Sequence, residues 1–387
     1  MNFPVISQQK NEKTQNLKRI YQLVRRMSPV TRTELAKRTG LSLMTITNLV
    51  DYLYSEGVLL IDNNKSDNKR GRKADLVSLN LNNLCVMVLD ITQEHFHFSV
   101  MDLGASAIAI PFYWRNNPAQ TYIKNFDAFL RYVRTVTERA GYLTKLAGIG
   151  VSVPGPYIPE KDQVFNRRIP GLDDVPVKAV IEARFTGVKV YIDEDVKFAA
   201  HYHIHGDEDR TGEVMVYVYI GEGMGGAIVN ENRIIRGRNS IAGDMGQLLA
   251  DRNGANYESL LSLSALYRRI LGKKPVDYDA NDMLQALIAF QNEKPARVAK
   301  ALFGIYDAIV RLLYNLLWFV DPHTIVIECE YLPALDKAYA DKIRRRLLER
   351  TEGLLPAVPE IIFESNRRKD SHAGAALYII ERWLNDE

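Results

Sequence analysis

Residues 31–57 read TRTELAKRTGLSLMTITNLVDYLYSEG. Thr33 is placed to cap a short helix, because its hydroxyl can accept a hydrogen bond from a first-turn N–H. Leu35 and Ala36 give that helix an apolar face, and Gly40 supplies the positive φ that ends it. Ser42 can cap a second helix, along which Ile46, Leu49, Val50 and Leu53 recur at three- and four-residue spacing. Two helices joined by a tight glycine turn make a helix-turn-helix, whose second helix enters the major groove of DNA. Leu43, Met44, Thr45, Thr47 and Asn48 then stand where base edges would be met, with Thr33 and Ser42 beside them. An ordinary helical corner has the same pattern, so the flanking segments decide between the two.

Upstream, residues 14–27 carry Leu17, Ile20, Tyr21 and Val24 at helical spacing. Lys18, Arg19, Arg25 and Arg26 are expected to be mostly solvated, with one or two near phosphates. Downstream, residues 58–61 form a short apolar strand, 62–73 are polar, and 76–79 form a returning strand. Helices followed by a β-hairpin make a winged helix-turn-helix. Its tip holds Arg70, Gly71, Arg72 and Lys73. Glycine lets backbone approach a duplex, and arginine favours the negative potential of a narrow minor groove.

Charge agrees with that reading. Residues 1–80 hold 14 Lys/Arg and 7 Asp/Glu, whereas 81–387 hold 36 and 40. A basic head on a mildly acidic body is the footprint of a nucleic-acid-binding module joined to something else. The 387 residues suit more than one domain: a DNA-binding domain at 1–80 and a second part at 81–387. No apolar N-terminal leader is visible, and no apolar run approaches the ~20 residues of a membrane span. Cys85 and Cys329 make no metal or disulfide motif and suit a reducing cytoplasm.

Beyond residue 81, strands are expected at 85–91, 96–101, 147–153, 188–192, 214–220, 226–229 and 324–328. Helices are expected at 123–140, 177–185, 196–205, 257–271, 280–290, 295–320, 334–351 and 372–384. This alternation predicts α/β layering.

At this point the motifs carry a resemblance. GVSVPGP (150–156), an acidic strand end at Asp195, GEGMGGAIV (221–229), AGDMGQ (242–247), DPHTIVI (321–327) and GAA (374–376) occur in the order of the ROK family. The name stands for repressors, open reading frames and kinases. With the Gly71-Arg72 wing, the chain resembles the transcription-factor branch over nearly its whole length. The resemblance implies an actin-like, hexokinase-type body of two α/β lobes with a cleft between them. Kinase members bind a sugar and ATP there. Repressor members bind a sugar or sugar phosphate and leave an operator.

The resemblance also locates what has changed. A phosphate cradle needs glycines and no repelling charge. The first loop, glycine-rich in kinases, reads Asp90-Ile91-Thr92-Gln93-Glu94, the second Gly221-Glu222-Gly223, and the nucleotide-side loop Glu328-Cys329-Glu330. Like charges ~4 Å apart cost on the order of 1 kcal/mol even in water, so ATP binding is not expected. No catalytic role, cofactor or metal is assigned. By resemblance, Asn166, Asp195, Asp244, Gln247 and Glu258 fall at the sugar site. Gln247 replaces the family's zinc-site histidine, and residues 251–256 (DRNGAN) replace its cysteine run, so that loop is expected to be held by packing alone. His201, His203 and His205 alternate and are read as non-ligands.

Three readings follow: a sugar-responsive repressor acting as a homodimer or tetramer on an inverted-repeat operator, a sugar kinase with a DNA-binding head, and a regulator answering to a protein partner.

Overall fold

The computed structural model describes residues 5–62, 75–92, 95–108, 112–166, 169–205, 212–272, 280–364 and 367–385. The chain divides into two compact units. The first comprises Met1–Phe198, His205–Asp207 and His372–Glu387, and the second Ala199–Ile204 and Glu208–Ser371.

The first unit opens with α1 (Val5–Met27), β1 (Val30–Thr31), α2 (Arg32–Thr39), α3 (Leu43–Ser55), β2 (Leu59–Asp62) and β3 (Leu76–Leu79). Thr31, not Thr33, caps α2: its hydroxyl accepts from the Glu34 N–H at 3.2 Å. Thr31 is still extended, at φ −90° and ψ 154°, because it pairs with Leu76 of β3. Thr33 is already inside the helix. Gly40, at φ 72°, ends α2, and the Ser42 hydroxyl accepts from the Thr45 N–H at 3.1 Å to start α3. Each such cap contributes about 1 kcal/mol. The strand β1 was not foreseen, since two residues show no periodicity; it completes a sheet of order β1-β3-β2.

Leu17, Ile20, Tyr21, Val24, Leu35, Ile46, Leu49, Val50 and Leu53 are all buried, as their spacing predicts. Two of the cations expected in solvent are engaged within the fold. Arg19 donates to the carbonyls of Thr39 and Arg38 at the end of α2, at 2.8 and 3.2 Å. Arg25 donates to the His205 carbonyl at 2.7 Å.

The unit continues with β4 (Cys85–Ile91), β5 (His95–Asp102), β6 (Phe112–Arg115), α4 (Tyr122–Arg139), β7 (Leu146–Val153), a small hairpin of β8 (Tyr157–Ile158) and β9 (Gln163–Val164), α5 (Val177–Arg184), β10 (Val190–Glu194) and both ends of α6 (Asp195–His205), whose residues Ala199–Ile204 fall in the second unit. The sheet order is β10-β7-β4-β5-β6, with β10, β7 and β4 parallel and β5 and β6 antiparallel. Phe126, Phe129, Leu130 and Val133 of α4 join Val177 and Ile181 of α5 in a core with Met87, Leu89, Ile149 and Val151.

The second unit contains β11 (Met215–Ile220), β12 (Met224–Asn230), β13 (Arg233–Ile234), α7 (Tyr257–Leu261), α8 (Leu263–Leu271), α9 (Ala280–Glu293), α10 (Pro295–Val320), β14 (Thr324–Cys329), α11 (Leu332–Leu335), α12 (Tyr339–Thr351) and β15 (Glu360–Glu364). Its sheet runs β13-β12-β11-β14-β15. Helix α13 (Arg367–Trp383) starts there and returns the chain to the first unit at His372.

By length and composition α10 could cross a membrane, contrary to the sequence expectation. Half of its most apolar window is buried, and Ile305, Ile309, Leu312, Leu313 and Leu316 fill the unit's core. Two helices expected as single pieces are broken. Ser262 ends α7 and caps α8. Asp336 separates α11 from α12 by accepting from the Ala338 N–H at 3.0 Å and the Tyr306 hydroxyl at 2.7 Å.

Candidate nucleic-acid interface and effector site

The start of α3 presents a compact face. Leu43 is 53% exposed and Met44 72%, large values for apolar side chains. Asn48 is exposed, while Thr45 and Thr47 are half-buried. Thr45 shares its hydroxyl with Ser42 at 2.8 Å, and Thr47 donates to the Leu43 carbonyl at 2.8 Å. Thr33 is exposed on α2. Arg32 pairs with Asp51 at 2.6 Å and Asp75 at 3.2 Å, fixing α2 to α3 and to the chain entering β3. Arg70, Gly71, Arg72 and Lys73 lie outside the described residues, as does Glu94.

In the first unit, three parallel strands place polar residues side by side. Asp90 of β4 is registered with Ser152 of β7, and Ser152 with Asp193 of β10. Residues directly opposite on neighbouring strands share a face. The row continues to His97 and Tyr113, whose rings meet edge to face at 4.1 Å. The Ser152 hydroxyl is buried and makes no hydrogen bond among the described residues. Periodicity could not reveal this row, because it depends on register between strands far apart in sequence. Asp195 starts α6 and accepts from the Val196 N–H at 2.7 Å. Asn166 accepts from the Ile169 N–H at 3.1 Å and donates to the Pro154 carbonyl, so it shapes the loop after β7.

Beside Asp195, Lys197 is buried and ion-paired with Glu194. Burial pushes the Glu194 carboxyl up to about 7, with Lys197 acting in the opposite direction. Thr92 donates to the His95 carbonyl at 2.6 Å, and Tyr122 donates to the Thr92 carbonyl at 2.8 Å.

In the second unit, Gln247 and Glu258 come together. Gln247 donates to Glu258 at 3.1 Å and accepts from Asn256 at 3.1 Å, while Glu258 also accepts from the Met224 N–H at 3.2 Å. The loop at 251–256 is not held by packing alone. Asp251 accepts from the N–H groups of Asn253 and Ala255 at 2.8 and 3.0 Å, and Leu249 bridges Asn256. Carboxylate and amide bonds organise the loop, whereas Leu249 itself is 72% exposed. Asp244 caps the 3-10 turn Met245–Gln247 by position, without a side-chain cap bond. The glycines before it serve close packing: a Cβ on Gly226 would lie 2.5 Å from the Tyr217 carbonyl, and one on Gly243 2.9 Å from Ala227 Cα.

The two acids of the expected nucleotide-side loop, Glu328 and Glu330, are not equivalent. Glu328 is inside β14, fully buried, and accepts from the Tyr217 hydroxyl. The Tyr217 ring stacks on His203 at 5.5 Å, and His203 Nε2 lies 3.3 Å from Asp370. Glu328 therefore belongs to an interior network rather than a loop. Glu330 stands at the glycine loop instead. A Cβ on Gly221 would lie 2.0 Å from the Tyr219 hydroxyl and 2.4 Å from the Glu330 carboxylate. His201 and His205, four residues apart, share one face of α6, which comparing neighbours two apart overlooks.

A helix-turn-helix with two strands after it opens the first unit, and the two units have the sheet orders of an actin-like, hexokinase-type body. The chain belongs to the ROK family, whose model matches residues 87–382. It is 28% identical over 235 residues to a putative xylose repressor of Caldicellulosiruptor sp. (strain Rt8B.4), covering 58% of this chain and 56% of that one. With the xylose repressor of Staphylococcus xylosus it shares 22% identity over 383 residues, 96% of each chain. A crystal structure of a ROK family transcriptional regulator, a homologue of the E. coli MLC protein, superimposes with a TM-score of 0.74 at 18% identity, covering 97% of both chains. The ROK hexokinase of Thermus thermophilus superimposes with a TM-score of 0.62 at 20% identity, covering 76% of this chain and 97% of that one. Repressors and kinases are thus both similar to this chain.

Proposed function

We propose that this protein is a DNA-binding transcriptional repressor of carbohydrate-metabolism genes, and that its body binds a sugar or sugar phosphate without phosphorylating it. Residues 1–80 form the DNA-binding domain, and 81–387 form the effector-binding and oligomerisation domain. The observation that carries the reading is the exposed face of α3, with Leu43, Met44 and Asn48 open at the start of a capped helix, on a ROK chain. The likeness to xylose repressors makes pentoses the first effectors to test.

Thr33, Ser42, Leu43, Met44, Thr45, Thr47 and Asn48 contact DNA, joined by the wing residues Arg70, Gly71, Arg72 and Lys73. Asn166, Asp195, Asp244, Gln247 and Glu258 contact effector hydroxyls, for which carboxylates and amides are the fitting partners. Lack of phosphoryl transfer is supported by Tyr219 and Glu330 crowding Gly221. A winged helix reads one half-site, so the protein acts as a homodimer or tetramer on an inverted repeat, in the cytoplasm where that DNA lies.

The test pairs a footprint on DNA selected from a randomised duplex library with a thermal-shift screen of sugars and sugar phosphates. A ligand at 100 times its dissociation constant stabilises by ~2.7 kcal/mol. Protection of paired half-sites, relieved by a sugar that raises the melting temperature, is the expected result. A protein that binds no duplex, or whose binding no sugar relieves, overturns it.

A further inference from the structure

Helix α1 is joined to the rest of the first unit by polar bonds as well as by its apolar stripe. Tyr21, fully buried, donates to the Leu103 carbonyl at 2.7 Å. Gln22, also buried, donates to the Glu381 carboxylate of α13. Arg25 donates to the His205 carbonyl at the last residue of α6, at 2.7 Å. These partners come from three separate segments. The last two are coupled, since His205 Nδ1 lies 3.8 Å from Glu381. A buried hydrogen bond that loses its partner leaves a desolvated polar group behind, so this docking is specific in register.

Helix α13 is fixed to the sheet beneath and to the start of α6. Tyr378 of α13 meets Phe198 of α6 at 5.9 Å and Tyr191 of β10 at 6.0 Å, both edge to face. Ile379 fills the space where Gly148 and Gly150 of β7 lack side chains, 2.6 and 2.8 Å from where a Cβ would stand. Helix α6 is continuous from Asp195 to His205. At 1.5 Å per residue it is a rod of roughly 15 Å. Its first residue is the proposed effector contact, and its last carbonyl is held by the head.

We infer that α6 is the transmitting element between effector and operator, with Arg25 and Gln22 of α1 as positioning residues that receive its displacement. The inference rests on the proposed effector role of Asp195. A rod clamped to the head at one end passes on a shift made at the other, whereas a loosely tethered head would not. Because binding linkage is reciprocal, operator DNA must act on α6 just as an effector acts on the head. That reciprocity allows a test before any effector is known.

Hydrogen exchange of the full chain is measured with and without the duplex it selects from a randomised library. In the wild type, DNA is expected to slow amide exchange at 199–205 and 376–384 by about tenfold, within the usual range of coupling. In Arg25→Ala, and separately in Glu381→Leu, that protection disappears while circular dichroism and operator affinity stay near wild type, with an unchanged salt dependence. Protection retained in both variants overturns the inference, as does a wild type that binds DNA without slowing exchange there. A lower affinity with a shallower salt slope in Arg25→Ala shows a phosphate contact and overturns it too. A wild type that selects no duplex removes the repressor reading itself, and the inference with it.

Discussion

Gln247 donates its side-chain amide to the carboxylate of Glu258 at 3.1 Å while accepting from Asn256 at the same distance. Three side chains thereby join the 3-10 turn to the start of α7, at the segment where the family resemblance implies a zinc loop. Chelation should therefore leave the melting temperature within about one degree, because no thiolate is offered at 251–256. A fall on adding EDTA, restored by zinc, contradicts this. Asn256→Ala removes both the bond to Gln247 and the cap on Ser259, and should cost about 1–2 kcal/mol in chemical denaturation.

At the other end of the chain, Met44→Ala and Asn48→Ala should weaken binding to the selected duplex and relax the preference at one or two base pairs. Loss of a good base contact is worth roughly 1–3 kcal/mol of discrimination. Ser42→Ala should instead lower stability by about 1 kcal/mol with little change in preference, since its hydroxyl starts α3. Equal weakening on every sequence by Asn48→Ala would show a phosphate contact only.

Purified protein should transfer no phosphate from ATP to pentoses or hexoses. A coupled assay above background that is lost in Asp195→Ala would make the chain a kinase with a DNA-binding head.

Asp195→Ala should bind the selected duplex as the wild type does, yet fail to release it with any sugar that the thermal-shift screen identifies. Normal release would make Asp195 a helix-start residue only, in keeping with its bond to the Val196 N–H.

The Glu194 carboxyl is raised from 4.5 to about 7, chiefly by burial. Its contribution to stability is thus complete below pH 4.5 and lost as pH rises through about 7, where the folded state must ionise a buried acid. Glu194→Gln should flatten the pH dependence of stability across that window, measured by denaturant melts. Lys197→Met removes the charge that holds the Glu194 carboxyl down, so the fall in stability should extend to higher pH, and Glu194→Gln added to it should abolish that dependence. A pH profile unchanged in Glu194→Gln excludes Glu194 as its source.

Local patterns determined much of this protein by themselves. The buried stripes of α1 and α3, the αL end at Gly40, the cap at Ser42 and strands such as Cys85–Ile91 follow from chain-local spacing and capping chemistry. The order of glycine-containing motifs pointed to the family, because backbone-on-backbone packing such as Gly226 against Gly243 tolerates no side chain. Tertiary structure alone decided the rest. The cap of α2 moved to Thr31 because a remote strand, β3, holds that residue extended. Arg19 and Arg25, cations that looked solvated, found carbonyls at helix ends brought to them by folding. Glu328, an acid assigned to a loop by position, proved to be buried against Tyr217 by strand register. Each of these depends on a partner 19 or more residues away, where one chain's spacing carries no information about which polar groups will meet.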